Sequence, residues 1–216
     1  MENQDYVTRF FKGYAQQFTS IYTFDNKNII NKMIDIFLRK SMFSRFNLAK
    51  SIFKECEISN LLDVGCGPGV HDLILASELK INITGIDVAP EMIEIALRSF
   101  QESKIHTPYN FIVGNFKHFS NQQQFDAALS VGVLEYIDDP KFFIKKIFNT
   151  VNIVACFSLP KKYHILTPQR SLRYRIRKCP LWFYTRSSIQ KMLVDCEINK
   201  YKIYDLGRDY LVAIYR

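Results

Sequence analysis

The run Leu61-Leu62-Asp63-Val64-Gly65-Cys66-Gly67-Pro68-Gly69 leads an apolar strand into three alternating glycines. A strand that passes through glycines into a helix makes a tight turn whose backbone can touch a ligand. Side chains at Gly65 and Gly67 would block that approach. Asp87 closes the next strand, 18 residues beyond Gly69, where a carboxylate can accept both hydrogen bonds of a ribose diol. The spacing is G-x-G-x-G rather than the dinucleotide fingerprint G-x-G-x-x-G, and no G-x-x-x-x-G-K-[ST] loop is present. Asp63, just ahead of the glycines, repels a pyrophosphate. It suits a ligand with a cationic amino group and a sulfonium. Those charges point to S-adenosylmethionine.

The elements that must position this turn can be read from apolar periodicity. Helical spacing over 5–19 and 27–55 predicts an N-terminal helical cap. From residue 60 the pattern alternates strands (61–64, 81–86, 110–113, 125–130, 152–158) with helices (70–80, 90 to about 101, about 139–149). Pro90 suits a helix start, and Thr185 an N-cap for a helix to Asp195. Residues 197–205 and 208–215 flank Leu206-Gly207 as a hairpin, and 160–184 reads as irregular or partly helical. The expected fold is α/β: one Rossmann-like domain over 1–216, with a mostly parallel seven-stranded sheet and a C-terminal antiparallel hairpin. Its parts are a helical cap (1–56), a cofactor-binding core (57–158), a basic lid insertion (159–184), and a last helix with the hairpin (185–216).

Three segments together resemble the class I S-adenosylmethionine-dependent methyltransferases. Residues 61–69 look like their first motif and Gly85-Ile86-Asp87-Val88-Ala89-Pro90-Glu91-Met92-Ile93 like their second. Phe125 to Tyr136 looks like their fourth-strand segment. The resemblance implies binding of S-adenosylmethionine, with S-adenosylhomocysteine as product. It implies that Asp63, Gly65, Cys66 and Gly67 cradle the methionine part and that Asp87 holds the ribose. Val88 and Met92 would pack on the adenine, and Ser130 and Val131 would offer backbone carbonyls to the amino group. Gly114-Asn115-Phe116 departs from the family, which usually has an acidic residue facing the adenine amino group. Asn115 can accept that hydrogen bond through its side-chain oxygen, and Phe116 could stack on the adenine or pack in the core.

The outer segments resemble a narrower group of small-molecule enzymes that includes the magnesium-protoporphyrin O-methyltransferases. The likeness lies in Phe10-Phe11, Tyr14, Phe18 and Ile21-Tyr22, in Cys179 to Thr185, and in the last hairpin around Arg208-Asp209-Tyr210. It implies catalytic candidates at Tyr22 and at Tyr136, where that group has His. His164 is a third candidate. A base is needed only if the acceptor atom carries a proton of high pKa.

The formal net charge of +8 is unevenly spread. Residues 1–139 carry 13 basic and 17 acidic side chains, whereas 140–194 carry 12 basic and none acidic. Arg170, Arg173 and Arg177 share a face if this stretch is helical. With Tyr14, Arg170 and Arg173 are the expected substrate contacts, for a small, anionic acceptor methylated on O, N or C. The alternatives are an RNA methyltransferase using the basic stretch on phosphates, and an inactive cofactor-binding interaction protein. Against the first stands the lack of an Asp/Asn-Pro-Pro-Tyr/Phe signature. Five scattered cysteines without zinc spacing exclude an expected metal, and with the acidic start at Met1–Tyr6 they lead to the expectation of a reducing, cytoplasmic setting. The longest uncharged run, 147–160, is too short to span a bilayer. A monomer or homodimer is expected.

Overall fold

The computed structural model describes residues 43–120 and 124–216. Seven strands form one sheet: β1 (Asn60–Val64), β2 (Asn82–Asp87), β3 (Tyr109–Val113), β4 (Phe125–Ser130), β5 (Val151–Pro160), β6 (Tyr201–Asp205) and β7 (Asp209–Tyr215). Their order is β3-β2-β1-β4-β5-β7-β6. All neighbours are parallel except β7, which runs antiparallel to both β5 and β6. Six helices accompany them among the described residues: α1 (43–55), α2 (Val70–Leu79), α3 (Pro90–Glu102), α4 (Pro140–Thr150), α5 (Thr167–Ile176) and α6 (Arg186–Asp195). The expected α/β class, the mostly parallel seven-stranded sheet and the C-terminal antiparallel hairpin are all present. The N-terminal part of the expected cap, with Tyr14 and Tyr22, lies outside the described residues.

Strand alternation divides the core into two layers. Leu61 of β1 packs with Phe46 and Phe53 of α1, Leu75 of α2 and Phe100 of α3. Leu62 and Val64 face the other way, toward Phe143 and Ile147 of α4 and Ile189 and Leu193 of α6. Period-2 alternation therefore assigns Asp63 to the α1–α3 face, beneath the start of α2. Gly65 sits where the sheet order reverses between β1 and β4. That is the crevice at the carboxyl ends of the strands where open α/β sheets take ligands.

Thr185 caps α6 as its sequence suggests. Its hydroxyl accepts from the Ser188 N–H at 3.1 Å, and the Ser188 hydroxyl accepts in return from the Thr185 N–H at 2.9 Å. The strand expected from 197 begins only at Tyr201. Glu197 takes a left-handed φ of 62° and the Ile198 N–H bonds back to the Leu193 carbonyl, so these residues end α6 instead. The stretch 161–184 holds α5 and returns to where it left. Lys162 N–H donates to the Tyr184 carbonyl, and Tyr184 N–H donates to the Pro160 carbonyl, each at 2.8 Å.

Candidate active site

The turn after β1 is shaped by backbone hydrogen bonds. The N–H groups of Gly65 and Cys66 both donate to the Ile86 carbonyl, at 2.8 and 3.2 Å. Gly65 and Gly67 take φ of 77° and 54°, in the left-handed region that side chains resist. The two glycines serve different ends. A Cβ on Gly65 would lie 2.3 Å from Cγ2 of Val133, so this glycine lets the β4 loop approach. A Cβ on Gly67 would meet nothing within 4 Å, so its backbone borders open space. Asp87 pins the turn. One carboxylate oxygen accepts from the Gly67 N–H and the other from the Ala89 N–H, each at 2.9 Å. Burial raises the pKa of this carboxyl while the backbone donors oppose the shift. Its outer lone pairs remain for a ligand diol.

Below the turn, Asp63 and Asp72 lie within hydrogen-bond reach of each other and are 3% and 0% exposed. Burial, then the neighbouring carboxyl, pushes Asp63 well above the usual carboxylate range. Asp72 is pushed up to about 7, chiefly by burial. Both oxygens of Asp72 lack any other protein donor. Cys66 is buried beside them and its thiol is pushed up by burial and by Asp72, Asp63 and Asp87. The floor of the site is thus rich in acid groups. No ion pair involves any of these three carboxylates among the described residues.

The remaining residues expected around the cofactor fall into two sets. Val88 is half-buried beside Asp87, and Met92 is buried on the first turn of α3 without joining either core layer. Ser130 is fully buried with its hydroxyl donating to the Val64 carbonyl at 3.1 Å, and Val131 follows it half-buried. Asn115 turns its side-chain oxygen inward to accept from the Lys117 N–H at 2.9 Å, capping a short 3-10 turn. Phe116 is 3% exposed and packs edge-on to Phe143, with centroids 5.0 Å apart, while the Lys146 ammonium covers its ring. Phe116 belongs to the same core layer as Phe143 and Ile147.

On the acceptor side, Arg170 does not face open solvent. Its guanidinium donates to Asp209 at 3.1 Å and to Glu135 at 2.5 Å, and it is 9% exposed. Burial alone would lower its pKa, but Glu135 and Asp209 override that and hold the charge. Arg45 of α1 joins the cluster, 3.7 Å from Asp209 and 3.3 Å from the Ser158 hydroxyl. Burial, then Arg170, lowers the pKa of Arg208, with Arg45 and Arg173 adding to the effect, and neither Arg173 nor Arg208 is ion-paired among the described residues. Nε of Arg173 is buried without an acceptor. Tyr136 is 7% exposed, 2.9 Å from the Tyr174 hydroxyl, and burial followed by Glu135 pushes its pKa far up. His164 accepts the Leu166 N–H on Nδ1 at 3.2 Å. It borders a small recess of about 10 Å³ with Lys161, Thr167, Arg170, Phe183 and Arg208. Sequence reasoning missed Asp72, Glu135, Asp209 and Arg208. The available signal was an acidic residue set inside an apolar run, as in Leu134-Glu135-Tyr136.

Comparison with known proteins agrees with this geometry. Residues 61–152 match the methyltransferase domain family. Ajmaline N-methyltransferase of Rauvolfia serpentina is 27% identical over 161 residues, covering 69% of this chain and 55% of that protein. The mitochondrial ubiquinone biosynthesis O-methyltransferase of Dictyostelium discoideum is 33% identical over 94 residues, 39% of this chain and 29% of that one. The chain spans about half the length, or less, of these curated relatives. Among solved structures, magnesium protoporphyrin IX methyltransferase from Synechocystis PCC 6803 with bound SAH superposes with a TM-score of 0.79 at 16% identity, covering 99% of both chains. That likeness is one of fold.

Proposed function

We propose that this chain, whose residues 61–152 match the methyltransferase domain family, is a class I S-adenosylmethionine-dependent methyltransferase that moves a methyl group to a small, anionic acceptor. The observation that carries this reading is the glycine turn pinned by Asp87 above a floor of carboxyl groups without a paired cation among the described residues. The fit is chemical. Gly67 leaves room for close backbone approach, Asp87 can take a ribose diol, and Asp63 supplies negative charge for an ammonium group. Val88 and Met92 border the place where a base would stack. When bound, the cofactor supplies an electrophilic methyl group on sulfur, and the protein aligns the acceptor and keeps water out.

In this reading the acceptor's anionic group rests on Arg173 and Arg208, because Arg170 is already neutralised by Glu135 and Asp209. The recess beside Arg208 has room for about one water, so an acceptor would lie over it rather than in it. The candidate bases give a further indication. Tyr136 keeps its proton at neutral pH, and Nδ1 of His164 is engaged by the Leu166 N–H, while Tyr22 lies outside the described residues. A carboxylate acceptor would need no base at all. The RNA reading is disfavoured because Lys161 and Arg170 are held by Asp205, Glu135 and Asp209.

Calorimetry with S-adenosylhomocysteine tests the cofactor. Asp87→Ala is expected to abolish binding, and unchanged affinity would overturn the assignment. Labelled cofactor added to fractionated extract tests the acceptor class. Label in small anionic metabolites supports the reading, and label in RNA replaces it.

A further inference from the structure

Asp72 has no part in the function proposed above, yet it is the most deeply buried acid of the site. It stands in the first turn of α2, where a carboxylate ordinarily meets the free N–H groups of the helix start. Here its two oxygens find no such donor. Its neighbour is Asp63, which β1 alternation turns toward α2. The groups facing the pair come from every element around it. They are Cys66 of the turn and Asp87 at the end of β2, while His71 precedes Asp72 on α2. His71 stacks on Phe46 of α1 at 4.3 Å and is held neutral, its pKa pushed down to about 4 first by burial and then by Arg45. No cation balances the pair among the described residues. Two carboxyl groups in contact and out of water do not both ionise, so they titrate as a unit that keeps one proton between them.

We propose that Asp63 and Asp72 share one proton in the ligand-free protein and release it to solvent when the ammonium of a bound S-adenosyl ligand settles against Asp63. Asp72 is then a positioning residue. It holds Asp63 through the shared proton and makes cofactor binding proton-linked. The balance is simple: a singly charged pair plus a cationic ligand gives a doubly charged pair with its cation, and one proton leaves. The inference rests on the cofactor reading above, and the experiment separates the two.

Titration calorimetry with S-adenosylhomocysteine in two buffers of different ionisation enthalpy reads the protons exchanged. Wild-type protein is expected to release protons near neutral pH. Its affinity should tighten by up to about tenfold per pH unit where the pair still holds its proton. Asp72→Asn should bind S-adenosylhomocysteine without that release, since the amide can still donate to Asp63. 5′-Methylthioadenosine, which lacks the amino-acid part, should bind without it in either protein. Binding with no proton release in the wild type, or with equal release in Asp72→Asn, overturns the proposal. If S-adenosylhomocysteine fails to bind the wild type, the cofactor reading falls and takes the ligand-linked step with it. The shared proton itself is read from melting of ligand-free protein against pH. The folded pair keeps a proton that the unfolded chain gives up, so the pair's contribution to stability should decline as pH rises from about 4 to about 7. Asp72→Asn should flatten that decline, with Asp72→Ser in its place if the amide variant does not fold. Neutral His71 gives the opposite slope over the same range, so the pair is read from the difference between the two proteins, and identical profiles for wild type and Asp72→Asn overturn it whatever the ligand does.

Discussion

Asp87 does two things with one carboxylate. It stitches the glycine turn to the start of α3 through Gly67 and Ala89, and it presents its outer lone pairs to the crevice. Asp87→Asn should therefore be instructive beside the alanine variant. The amide retains one acceptor oxygen, so the fold should survive while S-adenosylhomocysteine binding weakens at least tenfold by calorimetry, a loss of about 1.4 kcal/mol. Tyr136 lends itself to the opposite test. A phenol that keeps its proton is no base, so Tyr136→Phe should leave the pH profile of kcat/KM unshifted once an acceptor is in hand. Loss of a basic limb from that profile would restore Tyr136 as a base. These residues also mark what a sequence can disclose. Asp63 and Asp87 were legible because backbone geometry fixes them relative to the glycines. The facing of Phe116 was not legible, since an aromatic ring suits a ligand and a core equally well. Asp72 carries no signal in the sequence beyond its place near a helix start, and only burial against Asp63 sets it apart.

Among the elements, segment 161–184 is the one whose form was open. Its charge suggested exposure, but the structure folds it around a buried arginine. The segment is closed at its neck by Lys162 and Tyr184 and held in the middle by Arg170, which reaches both the loop after β4 and the first residue of β7. Sequence could not reveal this because Glu135 and Asp209 lie 35 and 39 residues away from Arg170. Removing one partner of a buried ion pair strands the others. Arg170→Met should cost about 3–5 kcal/mol in denaturant titration. Loosening of 161–184 should appear first, as faster amide exchange of α5. Thr185→Ala should cost about 1 kcal/mol through its lost cap, with no effect on ligand affinity. The capping signal at Thr185 was readable from local spacing. The end of α6 at Asp195 was readable too, but the late start of β6 at Tyr201 was not, because it depends on Glu197 adopting a left-handed conformation that its residue type does not announce.

At the scale of the whole molecule, the positive excess of 140–194 is partly answered from outside that stretch. Lys141, Lys145, Lys161 and Arg170 meet Asp195, Glu197, Asp205, Glu135 and Asp209. What remains near the acceptor side is local and guanidinium-based. Arg173→Ala should raise the apparent KM for an anionic acceptor without changing cofactor affinity, and added salt should raise that KM in the wild type more than in the variant. The order of the sheet has a consequence of another kind. β7 is made after β6 but lies between β6 and β5. During synthesis, β6 has no partner until its successor arrives, and β5 waits with an open edge. A chain halted after Asp205 would present that apolar edge to other chains. The hairpin at Leu206-Gly207 thus acts as the closing stitch of assembly, and mutations there should trouble yield and chaperone dependence before they trouble the finished protein.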